Sequence, residues 1–111
     1  MIHRRYDVYT KSLEATRLAN ALIRRFPPGY AWLADQLRRA IASAPLNIAE
    51  GLYRSTRPDR ERFFSFARGS LGEASAALDV AVALGCASVD ETTEIHRLIE
   101  DCTKMLWKLR S

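Results

Sequence analysis

Apolar residues recur at every third or fourth position through four successive segments of this chain, which is the spacing of one face of an α-helix. The spacing predicts helices at about 8–25, 31–50, 58–84 and 89–110. No stretch between turn residues alternates apolar and polar residues, so no sheet is predicted. A chain of 111 residues has room for one domain, and the connections are short. We therefore expect an all-α fold, a single domain over residues 1–111 that forms an antiparallel up-down-up-down four-helix bundle.

Capping and turn residues mark the ends of the predicted helices. Asp7 is placed to cap the first helix, and Gly51 to end the second in a left-handed conformation. Gly85 closes the third helix. Ser88 and Glu91 have the spacing of a capping box, in which each side chain accepts a hydrogen bond from the other residue's backbone N–H.

Pro45 falls inside the second predicted helix. A proline there removes one backbone hydrogen bond, and it predicts a kink near Ile41. Such a cost is tolerated where packing or function compensates for it.

The third predicted helix is apolar over a wider arc than one bundle requires. One core face spans about 100°, and further residues, Ala77 among them, widen the apolar arc to about 240°. A surface helix of a lone four-helix bundle needs roughly half of that arc, so we expect another subunit to cover the rest. Two tryptophans outside the main apolar stripes support this expectation. The residues assigned to an oligomer interface are Trp32, Ala76, Val80, Leu84 and Trp107.

A polar stripe runs beside the apolar face of the second helix, and small or acidic residues on the third helix are expected to face it. Its members are Gln36, Arg39, Ser43, Asn47 and Glu50 on the second helix and Ser70 and Glu73 on the third. We expect Glu73 to reach Arg39 or Asn47, so that the stripe forms one partly buried network that fixes helix register or a subunit contact. The alternative is a ligand or catalytic pocket.

Arginines give the chain a basic balance, with a net charge of +4. Arg54, Arg57, Arg60 and Arg62 follow the second helix and open the third, where free backbone donors add to the attraction for phosphate. This cluster predicts RNA or DNA binding that weakens steeply with salt. One alternative is that Asp59 and Glu61 neutralise this face locally and Arg54 only caps the second helix. Another is a scaffold in which the arginines pair with the acidic segment 69–101 of other subunits.

The sequence gives little indication of a catalytic, metal or cofactor site. His3 is expected in an N-terminal tail, and His96 on the polar side of the fourth helix without a serine or cysteine partner. Cys86 and Cys102 lack metal-ligand spacing and are expected to be ordinary buried thiols. The glycines form no phosphate-binding loop. With no membrane-length apolar run, we expect a cytoplasmic protein with no cofactor, no metal and no catalytic residues.

A further pattern spans both central helices. The residues that carry it are Gln36, Arg38, Arg39, Ala40, Ser43, Pro45, Asn47, Ile48, Ala49, Glu50, Gly51, Arg54, Phe64, Ala67, Gly69, Ser70 and Glu73. They resemble the motifs Q-x-R-R-A-x-x-S-I-P-x-N-I-A-E-G and A-x-G-S-x-x-E of the four-helix-bundle family of 23S rRNA intervening-sequence proteins. The chain departs from that family at Ala44, Leu46, Gly29 and Trp32.

This resemblance implies a cytoplasmic bacterial protein without enzymatic activity, commonly a homopentamer. Distant relatives that accompany reverse transcriptases bind nucleic acid. The leading hypothesis is therefore a non-enzymatic oligomeric bundle that binds RNA or DNA, as an accessory to a nucleic-acid enzyme. The alternatives are a protein–protein scaffold and, third, a small-molecule or hydrolytic pocket on the polar stripe.

Overall fold

Four α-helices account for most of residues 1–109, the part of the chain that this computed structural model describes. They are α1 (Asp7–Ile23), α2 (Ala31–Leu52), α3 (Arg57–Ala83) and α4 (Val89–Leu109). A 3₁₀ helix, Ile2–Arg5, precedes them, and no strand occurs within this range. The all-α prediction with four helices is confirmed, and the predicted end of α4 at residue 110 lies outside the described residues.

The predicted helix ends hold at two places, the capping box at Ser88 and Glu91 and the turn at Gly85. The Ser88 backbone N–H donates to Glu91 Oε1 at 2.9 Å, and the Glu91 N–H donates to Ser88 Oγ at 3.1 Å. Thr56 caps α3 by accepting from the Asp59 N–H. Gly85 follows α3 with φ of +80°, a conformation that glycine adopts without the steric cost of a side chain. The capping box and the closing glycine are therefore confirmed.

Asp7 does not cap α1 as predicted. It is the first residue of the helix, and the N-cap is Tyr6, which has extended backbone and makes no side-chain capping bond. The Asp7 carboxylate contributes instead through its charge at the positive end of the helix dipole.

Gly51 also has a role different from the predicted one. It lies inside α2 and does not adopt positive φ. A Cβ at this position would lie 2.7 Å from Cε1 and 2.9 Å from Cδ1 of Phe64. The glycine is required because α3 approaches α2 closely here.

Each helix packs against two neighbours, α1 on α2 and α4, and α3 on α2 and α4. The α2–α3 contact is the most extensive and the α3–α4 contact the least. Lys11 pairs with Asp101 at 3.2 Å, and Arg25 pairs with Glu91 at 2.7 Å, both between α1 and α4. The molecule is elongated, with extents of 45 × 22 × 22 Å.

The core face of α3 is turned toward α2 more than the helical pattern predicts. Its buried residues are Phe64, Ala67, Leu71, Ala74, Ala77, Leu78 and Ala81. Ala77, which was assigned to the additional apolar arc, is buried within the chain, whereas Phe63 and Val82 are only half-buried. Part of the arc that another subunit was expected to cover is therefore buried within the chain itself.

Pro45 stands inside α2 as predicted. The proline has no N–H to donate to the Ile41 carbonyl four residues earlier. The Thr16 hydroxyl of α1 lies 3.3 Å from that carbonyl oxygen and 2.8 Å from the Ser12 carbonyl oxygen. A neighbouring helix thus supplies a donor to the acceptor that the proline leaves open.

Candidate functional site

Acidic neighbours hold the predicted phosphate-binding residues Arg54 and Arg62. Asp59 Oδ1 accepts from Arg62 Nε at 3.2 Å and from its Nη2 at 3.0 Å, while Asp59 Oδ2 lies 3.7 Å from Arg54 Nε. Arg54 also pairs with Glu50 at 3.1 Å. Both guanidinium groups lie over the Phe63 ring, 4.7 and 4.5 Å from its centroid. At Arg54 and Arg62 the structure therefore favours local neutralisation.

Arg57 and Arg60 complete the predicted cluster. Arg57 is exposed at the first position of α3. Arg60 is half-buried, forms no ion pair with any residue in 1–109, and its Nε is buried without a hydrogen-bond partner. Glu61, which the alternative interpretation assigned to neutralise this face, pairs with Arg68.

The 3₁₀ helix adds cations that the sequence pattern assigned to a tail. His3 Nδ1 lies 2.8 Å from the Tyr53 hydroxyl, and its ring contacts Tyr9 edge to face. These contacts fix the segment against α1 and the end of α2, so the expectation of a tail is wrong. Arg4 and Arg5 are exposed there. The two adjacent arginines beside an aromatic residue were visible in the sequence as a candidate binding signal. No sequence pattern predicted the His3–Tyr53 contact that holds them in place.

The polar stripe is only partly a network. Ser70 Oγ donates to Ser43 Oγ at 2.9 Å, and the Asn47 amide donates to Ser43 Oγ at 2.9 Å. Glu50 pairs with Arg54 as described above. The predicted link of Glu73 to Arg39 or Asn47 is wrong for the single chain.

Three members of the stripe stay outside this small cluster. Arg39 and Glu73 are exposed, and Gln36 is half-buried. None of the three has a hydrogen bond or an ion pair among residues 1–109. The small residues bring the two backbones together at Ser43 and Ser70, but the two long charged side chains project past the contact to solvent.

The residues assigned to an oligomer interface lie at the surface of the chain. Those are Trp32, Ala76, Val80, Leu84 and Trp107, all of them exposed. Trp107 is partly covered by Arg68, whose guanidinium carbon lies 3.6 Å from the ring centroid.

His96 has the partner that the sequence analysis did not find. Its Nδ1 lies 2.9 Å from Ser75 Oγ, and its Nε2 lies 3.3 Å from Asp79 Oδ1, beside an open groove of about 470 Å³ between α3 and α4. Because an ionised carboxylate only accepts, His96 Nε2–H donates to Asp79, and Nδ1 shares a hydrogen bond with the Ser75 hydroxyl. Ser75 is ten residues before Gly85 and His96 eleven after it, so counting outward from the turn would have paired them.

The arrangement of Ser75, His96 and Asp79 has the residue types of a hydrolytic triad but lacks its surroundings. Ser75 lies in the middle of α3, where the neighbouring backbone N–H groups belong to the helix hydrogen bonds. A nucleophilic serine needs free donors aimed at a developing oxyanion. The contact links two helices.

Both cysteines are buried free thiols, as predicted. Burial raises the pKa of the Cys102 thiol from 9.0 to about 11, and its Sγ lies 3.7 Å from the Val8 carbonyl oxygen. A thiol that is almost wholly protonated at neutral pH is a poor nucleophile.

Within residues 1–109, no three side chains of the His, Cys, Asp and Glu types are grouped to hold a metal ion. None of the described helices is long and apolar enough to cross a membrane.

Comparison with known proteins decides the family. The family model of the 23S rRNA-intervening sequence protein matches residues 4–108. The chain belongs to this family. The predicted resemblance is thereby confirmed over nearly the whole sequence, although no curated protein matches the chain.

A solved relative shows the same fold. It is a crystal structure of a protein with unknown function from the S23 ribosomal protein family, from Bacteroides thetaiotaomicron. The two structures superpose with a TM-score of 0.85 at 19% sequence identity, and the match covers 94% of this chain and 98% of the other.

Proposed function

We propose that this family member is a non-enzymatic, oligomeric helical bundle that binds RNA or DNA through one basic end. The observation that carries the proposal is a set of cations without acidic partners. Arg4, Arg5 and Lys104 are exposed and Arg60 is half-buried, and none of the four forms an ion pair within residues 1–109. We call these four residues the basic end.

Contacts between the elements support placing these cations at the same end of the bundle. His3 meets Tyr53, Gly51 meets Phe64, and Arg68 meets Trp107. The 3₁₀ helix, the end of α2, the start of α3 and the end of α4 are therefore neighbours. The same contacts support the antiparallel arrangement of the helices.

Unpaired cations matter because binding to nucleic acid rests on phosphate neutralisation. A guanidinium already bound to a carboxylate must exchange that partner for phosphate and gains little. A solvated cation without a partner releases counterions from the nucleic acid when it binds. Arg4, Arg5, Arg60 and Lys104 therefore replace Arg54 and Arg62 as the main phosphate contacts of this proposal.

The oligomer is the second part of the proposal. Exposed apolar residues on α2 and α3 support it, since contiguous exposed apolar surface tends to mark interfaces. A homopentamer is preferred because of the family resemblance. A ring would repeat the basic end and raise its effective concentration of cations, which suits an accessory subunit of a nucleic-acid enzyme.

The alternative is a scaffold that binds only protein. The favouring observation is the neutralisation of Arg54 and Arg62 by Glu50 and Asp59, which removes part of the arginine-rich surface.

A salt-titrated binding assay tests the proposal. Fluorescence anisotropy with a labelled single-stranded RNA and a DNA duplex should show binding at about 50 mM salt, with a slope of log K against log salt of about −0.7 to −0.9 per phosphate neutralised. Replacing Arg4, Arg5, Arg60 and Lys104 by glutamine should lower both the affinity and the slope.

The matched control replaces the paired residues Arg54 and Arg62 by glutamine. It also removes positive charge from the start of α3 and should reduce the slope less per residue than the first variant. If the parent protein binds neither probe at about 50 mM salt, the nucleic-acid proposal fails and the scaffold stands.

A further inference from the structure

Two matching patterns lie on the exposed sides of α2 and α3. Trp32, Arg39 and Leu46 follow one another at seven-residue intervals along α2. On α3, Phe66, Glu73 and Val80 do the same. Each helix thus presents apolar, charged and apolar side chains in turn on one stripe, because seven residues are close to two helical turns. We call the six residues the heptad face.

All six side chains are exposed in the single chain. The relative accessibilities of the apolar ones are 71% for Leu46, 58% for Trp32, 48% for Phe66 and 40% for Val80. A chain with a well-filled core has no packing reason to leave four large apolar groups in water on adjoining helices. Their exposure calls for an occupant.

The two stripes are in register. The Ser43–Ser70 hydrogen bond of 2.9 Å fixes one level shared by α2 and α3. Arg39 lies four residues before Ser43, and Glu73 three after Ser70, so these two charges share another level.

The apolar residues share levels in the same way. Leu46 is three residues after Ser43, and Phe66 is four before Ser70. Trp32 is eleven before Ser43, and Val80 ten after Ser70. The face therefore consists of a charged layer between two apolar layers, each about 10 Å from the next at 1.5 Å per residue.

The stripes also lie on the same side of the bundle. At about 100° per residue, Phe66, Glu73 and Val80 lie within about 40° to 80° of Ser70 around α3. The α2 stripe lies within about 20° to 60° of Ser43. Both flank the α2–α3 contact on the side away from the core, and so they adjoin.

The charged layer defines what the occupant must offer. Arg39 and Glu73 have no partner among residues 1–109, as described above. An occupant that covers the apolar layers would also desolvate these charges, which is unfavourable unless each meets an opposite charge. The occupant therefore needs a carboxylate and a cation at one level, flanked by apolar groups on either side.

A second copy of the chain meets this requirement. Rotation about an axis parallel to the helices keeps every residue at its level. A rotated copy would therefore place its Glu73 opposite Arg39, and its apolar layers opposite the same apolar layers. We propose that copies of this chain associate through the heptad face, with Arg39 of one copy paired to Glu73 of the next. The inference rests on the oligomer of the proposed function and names its surface.

Charge reversal tests the pairing. Arg39→Glu and Glu73→Arg should each lower the mass found by sedimentation velocity at micromolar concentration, because like charges then face each other. The double variant Arg39→Glu/Glu73→Arg should recover the parent mass.

Mixing the two single variants separates pairing between copies from pairing within one chain. An equimolar mixture should form complexes larger than either variant forms alone, since each variant carries the charge that the other lacks. If the pair closed inside the chain, the single variants would melt at lower temperature but mixing would not raise the mass. That outcome would overturn the inference.

Two controls complete the design. Arg38→Glu reverses a neighbouring exposed charge that pairs with Asp35 and lies off the heptad face, and it should leave the mass unchanged. Leu46→Glu places a charge at the most exposed apolar residue of the face. Because this residue is exposed in the single chain, the variant should fold, but its assembly should dissociate. If the parent protein is a monomer, the proposed oligomer itself fails. If the parent is an oligomer that Arg39→Glu and Leu46→Glu leave intact, only the heptad face is rejected.

Discussion

The two sides of α3 are held in opposite ways. Toward α2, the contact is close because side chains are short or absent: Gly51 admits the Phe64 ring, and Ser43 meets Ser70. Toward α4, an open groove lies between the helices, and the longer His96 side chain reaches across to Ser75. One helix is thus fixed on one side by close steric packing and on the other by a hydrogen bond from a longer polar side chain.

The largest effect is expected on the close side. Gly51→Ala would place a methyl group within 2.9 Å of the Phe64 ring and push the helices apart. Overpacking of this kind costs about 1–3 kcal/mol, and the better helix propensity of alanine returns less than about 1 kcal/mol near a helix end. We expect the free energy of unfolding in urea to fall by about 2 kcal/mol.

Gly72→Ala is the matched control for that measurement. Nothing lies within 4 Å of a Cβ at Gly72, which is also inside a helix. This change should raise stability, by up to about 1 kcal/mol. Equal effects of the two substitutions would show that close approach does not determine the α2–α3 contact.

A smaller effect is expected on the open side. Both His96→Ala and Ser75→Ala remove the 2.9 Å contact across the groove, and each should cost about 1 kcal/mol of unfolding free energy. The double variant should cost less than the sum of the two, because the interaction is lost only once. Strict additivity in this double-mutant cycle would contradict a direct His96–Ser75 bond.

The smallest effect concerns the start of α4 and depends on pH. The Ser88 backbone N–H, together with the Ser88 side chain and Arg25, holds the pKa of the Glu91 carboxyl below its ordinary value of 4.5. A lowered pKa in the folded state gives stability that is present above pH 4.5 and is lost as the pH falls through the folded value.

Thermal melts of the parent and of Glu91→Gln between pH 7 and pH 3 measure this contribution. The parent should be the more stable at pH 7, and the difference should shrink as the carboxyl is protonated. A difference that stays constant over the whole range would show that the ionised form contributes nothing.

Local features of the fold were predictable from sequence because their causes are local. The capping box at Ser88 and Glu91, the turn at Gly85 and the proline in α2 each depend on residues within one or two helical turns. The helix type itself follows from apolar spacing. Such features need no knowledge of how the helices meet.

Features that depend on the distance between helices were predicted less well. Gly51 has the same identity whether it ends a helix or admits a neighbouring ring, so the sequence could not separate the two roles. Helical spacing placed Arg39 and Glu73 on facing stripes of α2 and α3. Spacing alone does not show how far a long side chain extends beyond the contact between two helices. Neutralisation of the arginine cluster by Asp59 was an alternative interpretation of the sequence. That Asp59 contacts both Arg54 and Arg62 became visible only in three dimensions.

The hydroxyl of Thr16 beside the Ile41 carbonyl has a consequence for how the sequence can change over time. With any residue other than proline at position 45, that carbonyl regains a donor from its own helix, and the hydroxyl keeps only its bond to the Ser12 carbonyl. Positions 16 and 45 should therefore vary together, although the link between them passes through the backbone of a third residue. In an alignment of relatives, serine or threonine at position 16 should be more frequent in sequences that carry proline at position 45 than in those that do not.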